Sequence, residues 1–110
     1  MADISREMAR FINDIRQTDT YQEYEKQKKR MKEYPDLKEK IDAFRLANYE
    51  LQKNTPQDQL FEKTDAFQKE YEDFREIPMV HDFLAAELDY CRMIQEINDV
   101  LYDEFTIRFE

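Results

Sequence analysis

Metal binding and proton transfer are the first chemistries to consider, because the chain has 26 Asp and Glu residues and one histidine, His81. Helical bundles that hold catalytic metals use repeated Glu-x-x-His motifs together with further inward glutamates. The residue three positions before His81 is Pro78, so the motif is missing. We therefore predict no metal centre and no catalytic residue, and we expect His81 to lie at the surface or near a helix end.

Cys91 is the one thiol of the chain, and it falls on an apolar stripe between Leu88 and Ile94. A catalytic thiol needs a base beside it. His81 is about 15 Å away if the two lie on one helix. We expect Cys91 to fill a core as a small apolar side chain. Glu87, one turn earlier, lies at the edge of the same stripe, and we expect it to bond a tyrosine or lysine of a neighbouring helix.

A run of basic side chains is the exception in an acidic chain with a net charge of −9. Its members are Lys26, Lys28, Lys29, Arg30 and Lys32. Such a run fits an acidic partner, an RNA or a solvated helix end, where cations are favoured by the helix dipole. The net charge favours the solvated helix end and argues against direct nucleic-acid binding, which needs a basic footprint.

Composition predicts one soluble domain over residues 1–110, since a chain of this length can bury a core. Aromatic residues make up 14% of it, which is unlike a disordered chain. No apolar run approaches the roughly 20 residues of a membrane span. The start has no basic segment followed by an apolar one, so we expect no signal peptide and a cytoplasmic protein.

Two short stretches that nearly repeat each other, residues 31–35 and 74–78, each end in proline. Proline fits the first turn of a helix and disfavours the α conformation of the residue before it. We therefore predict two helix–proline–helix junctions. A third start is predicted at Thr55-Pro56, with Thr55 as the N-cap and Pro56 as the first helical residue. It follows a helix that ends near Lys53 with Asn54 in the left-handed conformation. Near Thr18 the pattern allows a break or a kink, and we prefer the break.

Apolar spacings of three and four run through every segment, so we predict an all-α array of four to five helices with at least ~70% helix. The last helix starts at Pro78 and covers about 30 residues, or about 45 Å. Such a helix either bends or extends past its own bundle, where Leu101, Phe105 and Phe109 need cover from a second chain. We therefore expect a homodimer or a higher oligomer.

Aromatic residues of the helix after Pro56 and of the last helix form the densest candidate interface. They are Phe67, Tyr71, Phe74, Phe83 and Tyr90. Aromatic side chains are enriched where proteins bind proteins, although they also fill cores. We expect Tyr90 to be the most exposed of them, because it lies off the line through Leu84, Cys91 and Ile94.

Two motifs at the predicted junctions resemble those of the YlbF/YmcA family of small bacterial helical proteins. They are Pro35-Asp36-Leu37 with Ile41 and Phe44, and Pro78-Met79-Val80 with Phe83-Leu84-Ala85-Ala86-Glu87. The resemblance covers roughly residues 4–105. It implies an all-α fold, dimers or larger assemblies, and regulatory adaptors of competence, sporulation and biofilm formation that join related subunits and influence RNA processing through RNase Y. Some family complexes are linked to iron–sulfur clusters, but this chain departs there because Cys91 is its only thiol.

The function expected from residues and resemblance together is that of a non-enzymatic regulatory or adaptor protein without a cofactor. Its expected partners are a second copy of itself, related family subunits or RNase Y. A helical holdase or scaffold remains an alternative, and a carboxylate enzyme with a recruited metal is a less favoured one.

Overall fold

The structure is a computed structural model that describes residues 3–107. Six α-helices contain 89% of the described residues, and no strand occurs among them. The helices are α1 (Ser5–Arg16), α2 (Asp19–Lys32), α3 (Pro35–Asn54), α4 (Gln57–Glu70), α5 (Glu72–Glu76) and α6 (Pro78–Phe105). The all-α prediction and the long last helix are confirmed, whereas the predicted number of four to five helices is too low.

Both predicted proline junctions are confirmed. Pro35 is the first residue of α3 and Pro78 the first residue of α6. The residues before them leave the helical conformation, with ψ of 69° at Tyr34 and 121° at Ile77. This is the conformation that a following proline ring imposes by its contact with the preceding residue.

Thr18 separates α1 from α2, so the predicted break is confirmed. The Tyr21 backbone N–H donates to Thr18 Oγ1 at 3.2 Å, and the Thr18 hydroxyl donates to the Ile15 carbonyl at 2.7 Å. The first bond caps the start of α2 and the second closes the turn after α1. One side chain therefore ends one helix and begins the next.

The predicted left-handed stop at Asn54 is wrong. Asn54 is the last residue of α3, and no residue among 3–107 has a positive φ. Thr55 follows with φ −92° and ψ 129°, because it precedes Pro56 and is kept out of the α region. Pro56 itself takes the N-cap position of α4, one residue later than predicted, and the Thr55 side chain does not cap that helix.

An interruption at Tyr71 explains the higher helix count. The sequence pattern predicted one helix from Pro56 to Phe74, but Tyr71 has φ −99° and ψ 9°. Its N–H still bonds the Phe67 carbonyl at 3.1 Å. The five residues of α5 then lead to the junction at Pro78. Local apolar spacing continues through Tyr71, which is why the pattern alone does not reveal the interruption.

The chain forms two compact units. Unit 1 comprises Met1–Gln27 and Leu84–Glu110, and unit 2 comprises Lys28–Phe83. In unit 2, α3 packs on α4, and buried side chains include Met31, Ile41, Phe67, Val80 and Phe83. Four aromatic rings extend this core, with Phe44 and Phe67 centroids 5.4 Å apart and Phe44 and Tyr71 centroids 5.1 Å apart.

Unit 1 has a smaller interior. Tyr90 of α6 stacks on Tyr24 of α2, and the Tyr21 ring lies 6.1 Å from Tyr90. Ala86 and Gln27 are buried, and the Gln27 amide donates to Glu23 Oε1 at 2.8 Å. Helix α1 contributes no buried residue.

Candidate protein-interaction surface

Helix α1 has an apolar face that is left largely exposed among the described residues 3–107. Ile4 precedes the helix, and Met8, Phe11, Ile12 and Ile15 follow at spacings of three, four and one. These spacings place the side chains on one face of a helix. Only Ile15 is half-buried, and the other four are exposed. A face of this size is normally buried against another element.

The end of α6 has a second uncovered apolar surface. Phe105 is 77% exposed, and Leu101 and Tyr102 are exposed as well. Leu101 and Phe105 are thus exposed in the single chain, and their cover by a second chain stays a prediction. Phe109, the third member of that prediction, lies outside the described residues.

These two surfaces meet in one open groove of unit 1 with a volume of about 680 Å³. We call it the α1–α6 groove. Its lining consists of Ile4, Met8, Phe11, Asn98, Leu101, Tyr102, Phe105 and Thr106. Six of these eight residues are large and apolar, so the groove offers little for catalysis and much for hydrophobic contact.

The charges beside the groove differ between its two helices. Residues 95–107 contain Glu96, Asp99, Asp103 and Glu104 and no lysine or arginine. Helix α1 contains Arg6, Arg10 and Arg16 together with two acids, Glu7 and Asp14. The segment of α6 that contributes to the groove is therefore acidic, and α1 has a small excess of positive charge.

The five aromatic residues predicted as an interface lie mainly in the interiors of the two units. Phe67 and Phe83 are buried, with 8% and 7% of their surfaces exposed. Tyr71 and Phe74 are half-buried and belong to the ring cluster of unit 2. Because Phe67 and Phe83 are buried, the single chain cannot present these two side chains to a partner.

Tyr90 is half-buried and stacked on Tyr24, so the expectation that it lies off the packed line of α6 is wrong. The cause is a shift of one residue in the packed face of α6. The sequence pattern placed Cys91 on that face, but the structure places Tyr90 there and leaves Cys91 exposed. Both side chains can pack in an apolar interior, and both residues lie within about one turn of Ile94. Helical spacing alone therefore does not show which of them lies on the packed face.

The remaining candidate residues do not form a reactive site. His81 is exposed in the first turn of α6, with Nδ1 3.5 Å from an Asp82 oxygen, as expected for a surface residue. Arg30 of the basic run also pairs with Asp82, at 3.3 Å. Glu87 is half-buried. Among residues 3–107, no three His, Cys, Asp or Glu side chains are grouped as metal ligands would be.

The groove residues of α1 are the part of this surface that the site prediction missed. Ile4, Met8 and Phe11 form a regular apolar stripe in the sequence. A stripe shows that a helix face will be buried, but it does not show whether the same chain buries it. Within the described part of the chain, no helix is both long and apolar enough to cross a membrane.

Comparison with known proteins gives one family. The model of the family described as "Control of competence regulator ComK, YlbF/YmcA" matches residues 4–105, which is nearly the whole chain. No curated protein matches the chain. No solved structure matches it either.

Proposed function

The chain belongs to the YlbF/YmcA family, and from this premise we propose that it is a non-enzymatic regulator that acts through contacts with other proteins. The family's described role is control of the competence regulator ComK. The proposed mode of action is that of an adaptor in the cytoplasm. Related family subunits and RNase Y are the partner classes that family membership suggests.

The α1–α6 groove is the observation that carries this proposal. Exposed apolar patches of several hundred Å² on a soluble protein usually mark interaction sites. Six large apolar side chains line this groove, and aromatic residues and methionine are among them. These residue types are enriched at protein interfaces. The groove therefore supports an activity that consists of binding.

A capture experiment tests the proposed function. The full-length chain is immobilised, exposed to native lysate, and its bound proteins are identified by mass spectrometry. We expect a small set of discrete partners with the wild type and with Phe61→Glu, because Phe61 of α4 is 85% exposed and does not line the groove. We expect the set to be lost with Phe105→Glu, because a charge at this position opposes burial of the groove.

Two outcomes would contradict the adaptor role. Capture of many unrelated unfolded proteins, combined with suppression of their aggregation, would favour a holdase that uses the same exposed apolar surface. Metal-stimulated turnover of a substrate by the purified chain, lost on chelation, would favour an enzyme. The second assay uses the same protein preparation and needs no knowledge of the partner.

A further inference from the structure

We propose that Met93 of α6 is a reversible oxidation site, at which a hydroperoxide converts the thioether to a sulfoxide and the new oxygen disrupts the hydrogen bonds of Thr18. A sulfoxide is polar where the thioether is apolar. Thr18 joins α1 to α2, so oxidation of one side chain in α6 acts on the junction of two other helices. The site belongs to unit 1 alone, so it goes beyond the proposed function and needs no partner protein.

The sulfur of Met93 lies beside the hydroxyl that organises this junction. Thr18 Oγ1 is 3.6 Å from Met93 Sδ. The same hydroxyl donates to the Ile15 carbonyl at 2.7 Å and accepts the Tyr21 N–H at 3.2 Å. A hydroxyl has one hydrogen, and a thioether sulfur is a weak acceptor. In the reduced chain, the carbonyl of Ile15 therefore keeps that hydrogen.

Oxidation of the sulfur changes this competition. An oxygen bound to Sδ on the side of Thr18 comes within hydrogen-bond distance of the hydroxyl, because the sulfur itself is 3.6 Å from it. The sulfoxide oxygen then competes with the Ile15 carbonyl for the one hydrogen. When the hydroxyl turns toward the sulfoxide, the bond that closes the turn after α1 is lost. The Tyr21 N–H at the start of α2 loses its acceptor in the same movement.

Helix α1 has few other contacts that would resist this loss. It contributes no buried residue, and Ile15 and Thr18 near its end are half-buried. Segments with few buried apolar contacts open locally at a small cost in free energy. Three of the eight residues that line the α1–α6 groove lie within residues 4–11. Opening of the junction at Thr18 therefore also alters one side of that groove.

Met93 is accessible enough to react. Its side chain is half-buried, whereas Met8 is 52% exposed and Met31 only 3%. The sulfur lone pair attacks one peroxide oxygen, and the S–O bond forms as the O–O bond breaks. The sulfur supplies the electron pair that the peroxide gains, and the peroxide leaves as an alcohol, or as water when it is hydrogen peroxide. Methionine sulfoxide reductases return the thioether with electrons from thiols and release the oxygen as water.

Titration of the full-length chain with hydrogen peroxide tests the site, with peptide mass spectrometry as the readout. We expect Met93 to gain its oxygen at a rate within about tenfold of that of Met8, and at least about tenfold faster than Met31. The two other methionines thus serve as internal references for an exposed and a buried thioether. Oxidation of Met93 no faster than that of Met31 would overturn the proposal.

Amide exchange followed residue by residue by NMR tests the effect on the junction. In the oxidised wild type, the Tyr21 amide should exchange at least about fivefold faster than in the reduced chain, and reductase treatment should restore the slow rate. Met93→Leu is the matched control, since it keeps an apolar side chain of similar size and should show no acceleration after the same treatment. Unchanged exchange at Tyr21 in the oxidised wild type, or equal acceleration in Met93→Leu, would overturn the proposal.

Two further variants separate the role of Thr18 from general damage by peroxide. Met93→Gln places an amide oxygen near the hydroxyl and should reproduce the faster exchange of Tyr21 without any oxidant. Thr18→Val removes the hydroxyl and keeps the shape of the side chain. It should accelerate exchange at Tyr21 by itself and make that exchange insensitive to oxidation of Met93. Sensitivity that persists in Thr18→Val would show that oxidation acts by a route other than Thr18.

Discussion

The rings of Tyr24 and Tyr90 stack with their centroids 4.6 Å apart and their planes inclined by 26°. This contact joins α2 to α6 inside unit 1, where few side chains are buried. Offset aromatic pairs at this distance stabilise a fold beyond the area that they bury. Tyr90 therefore has a structural role in a unit with a small core.

Replacing Tyr90 by alanine should lower the free energy of unfolding by about 2–4 kcal/mol, because it removes a half-buried ring together with its stacking contact to Tyr24. Tyr90→Phe should cost less than about 1 kcal/mol, since the ring and its stacking remain. Urea denaturation followed by circular dichroism measures both. Equal stability of Tyr90→Ala and the wild type would show that the stack contributes nothing in solution.

The two aromatic residues Phe61 and Phe67 of α4 give a matched pair for the core of unit 2. Phe67→Ala should destabilise the chain by about 3–5 kcal/mol, as expected for truncation of a buried phenylalanine. Phe61→Ala should change stability by no more than about 0.5 kcal/mol, because its side chain is in water. The difference between the two midpoints in urea is the readout. Similar effects of the two substitutions would contradict the packing of α4.

Thr18 offers a test of the junction between α1 and α2. Thr18→Ala removes the hydroxyl that accepts the Tyr21 N–H, and loss of such a cap costs about 0.5–2 kcal/mol. Thr18→Ser keeps the hydroxyl and should retain most of that stability. Thermal unfolding of the two variants at one protein concentration separates the contribution of the capping hydroxyl to stability from that of the methyl group. If serine and alanine are equally destabilising, the hydroxyl is not the stabilising group.

Particular residues show which features of the fold can be predicted from the sequence and which cannot. Pro35 and Pro78 predict two helix starts correctly, because a proline acts on its immediate neighbours through the geometry of its ring. The prediction that Cys91 rather than Tyr90 lies on the packed face of α6 is wrong. The packed face depends on where α2 lies against α6, and local spacing does not contain that information. The same limit applies to Phe67, since an aromatic side chain at an interface and one in a core follow the same helical periodicity.

The uncovered face of α1 shows a different limit. Its stripe of Ile4, Met8 and Phe11 indicates burial as clearly as any stripe in the chain. In the single chain, however, these three side chains are exposed. A sequence pattern specifies which side of a helix avoids water, but the identity of the covering surface depends on the assembly. Candidate site residues on such helices are therefore the ones that pattern analysis misses.

Cys91 should react with a thiol reagent such as Ellman's reagent in the native protein, because its side chain is exposed. The reaction rate should be within about tenfold of the rate in urea, where the chain is unfolded and the thiol is fully accessible. A buried cysteine would instead react no faster than the protein opens or unfolds. Cys91→Ser should leave stability within about 0.5 kcal/mol, as for other surface substitutions. Protection of Cys91 that rises with protein concentration would instead show that an interface covers this side of α6. Stoichiometric iron and sulfide in the anaerobically purified chain would contradict our expectation that Cys91 holds no cofactor.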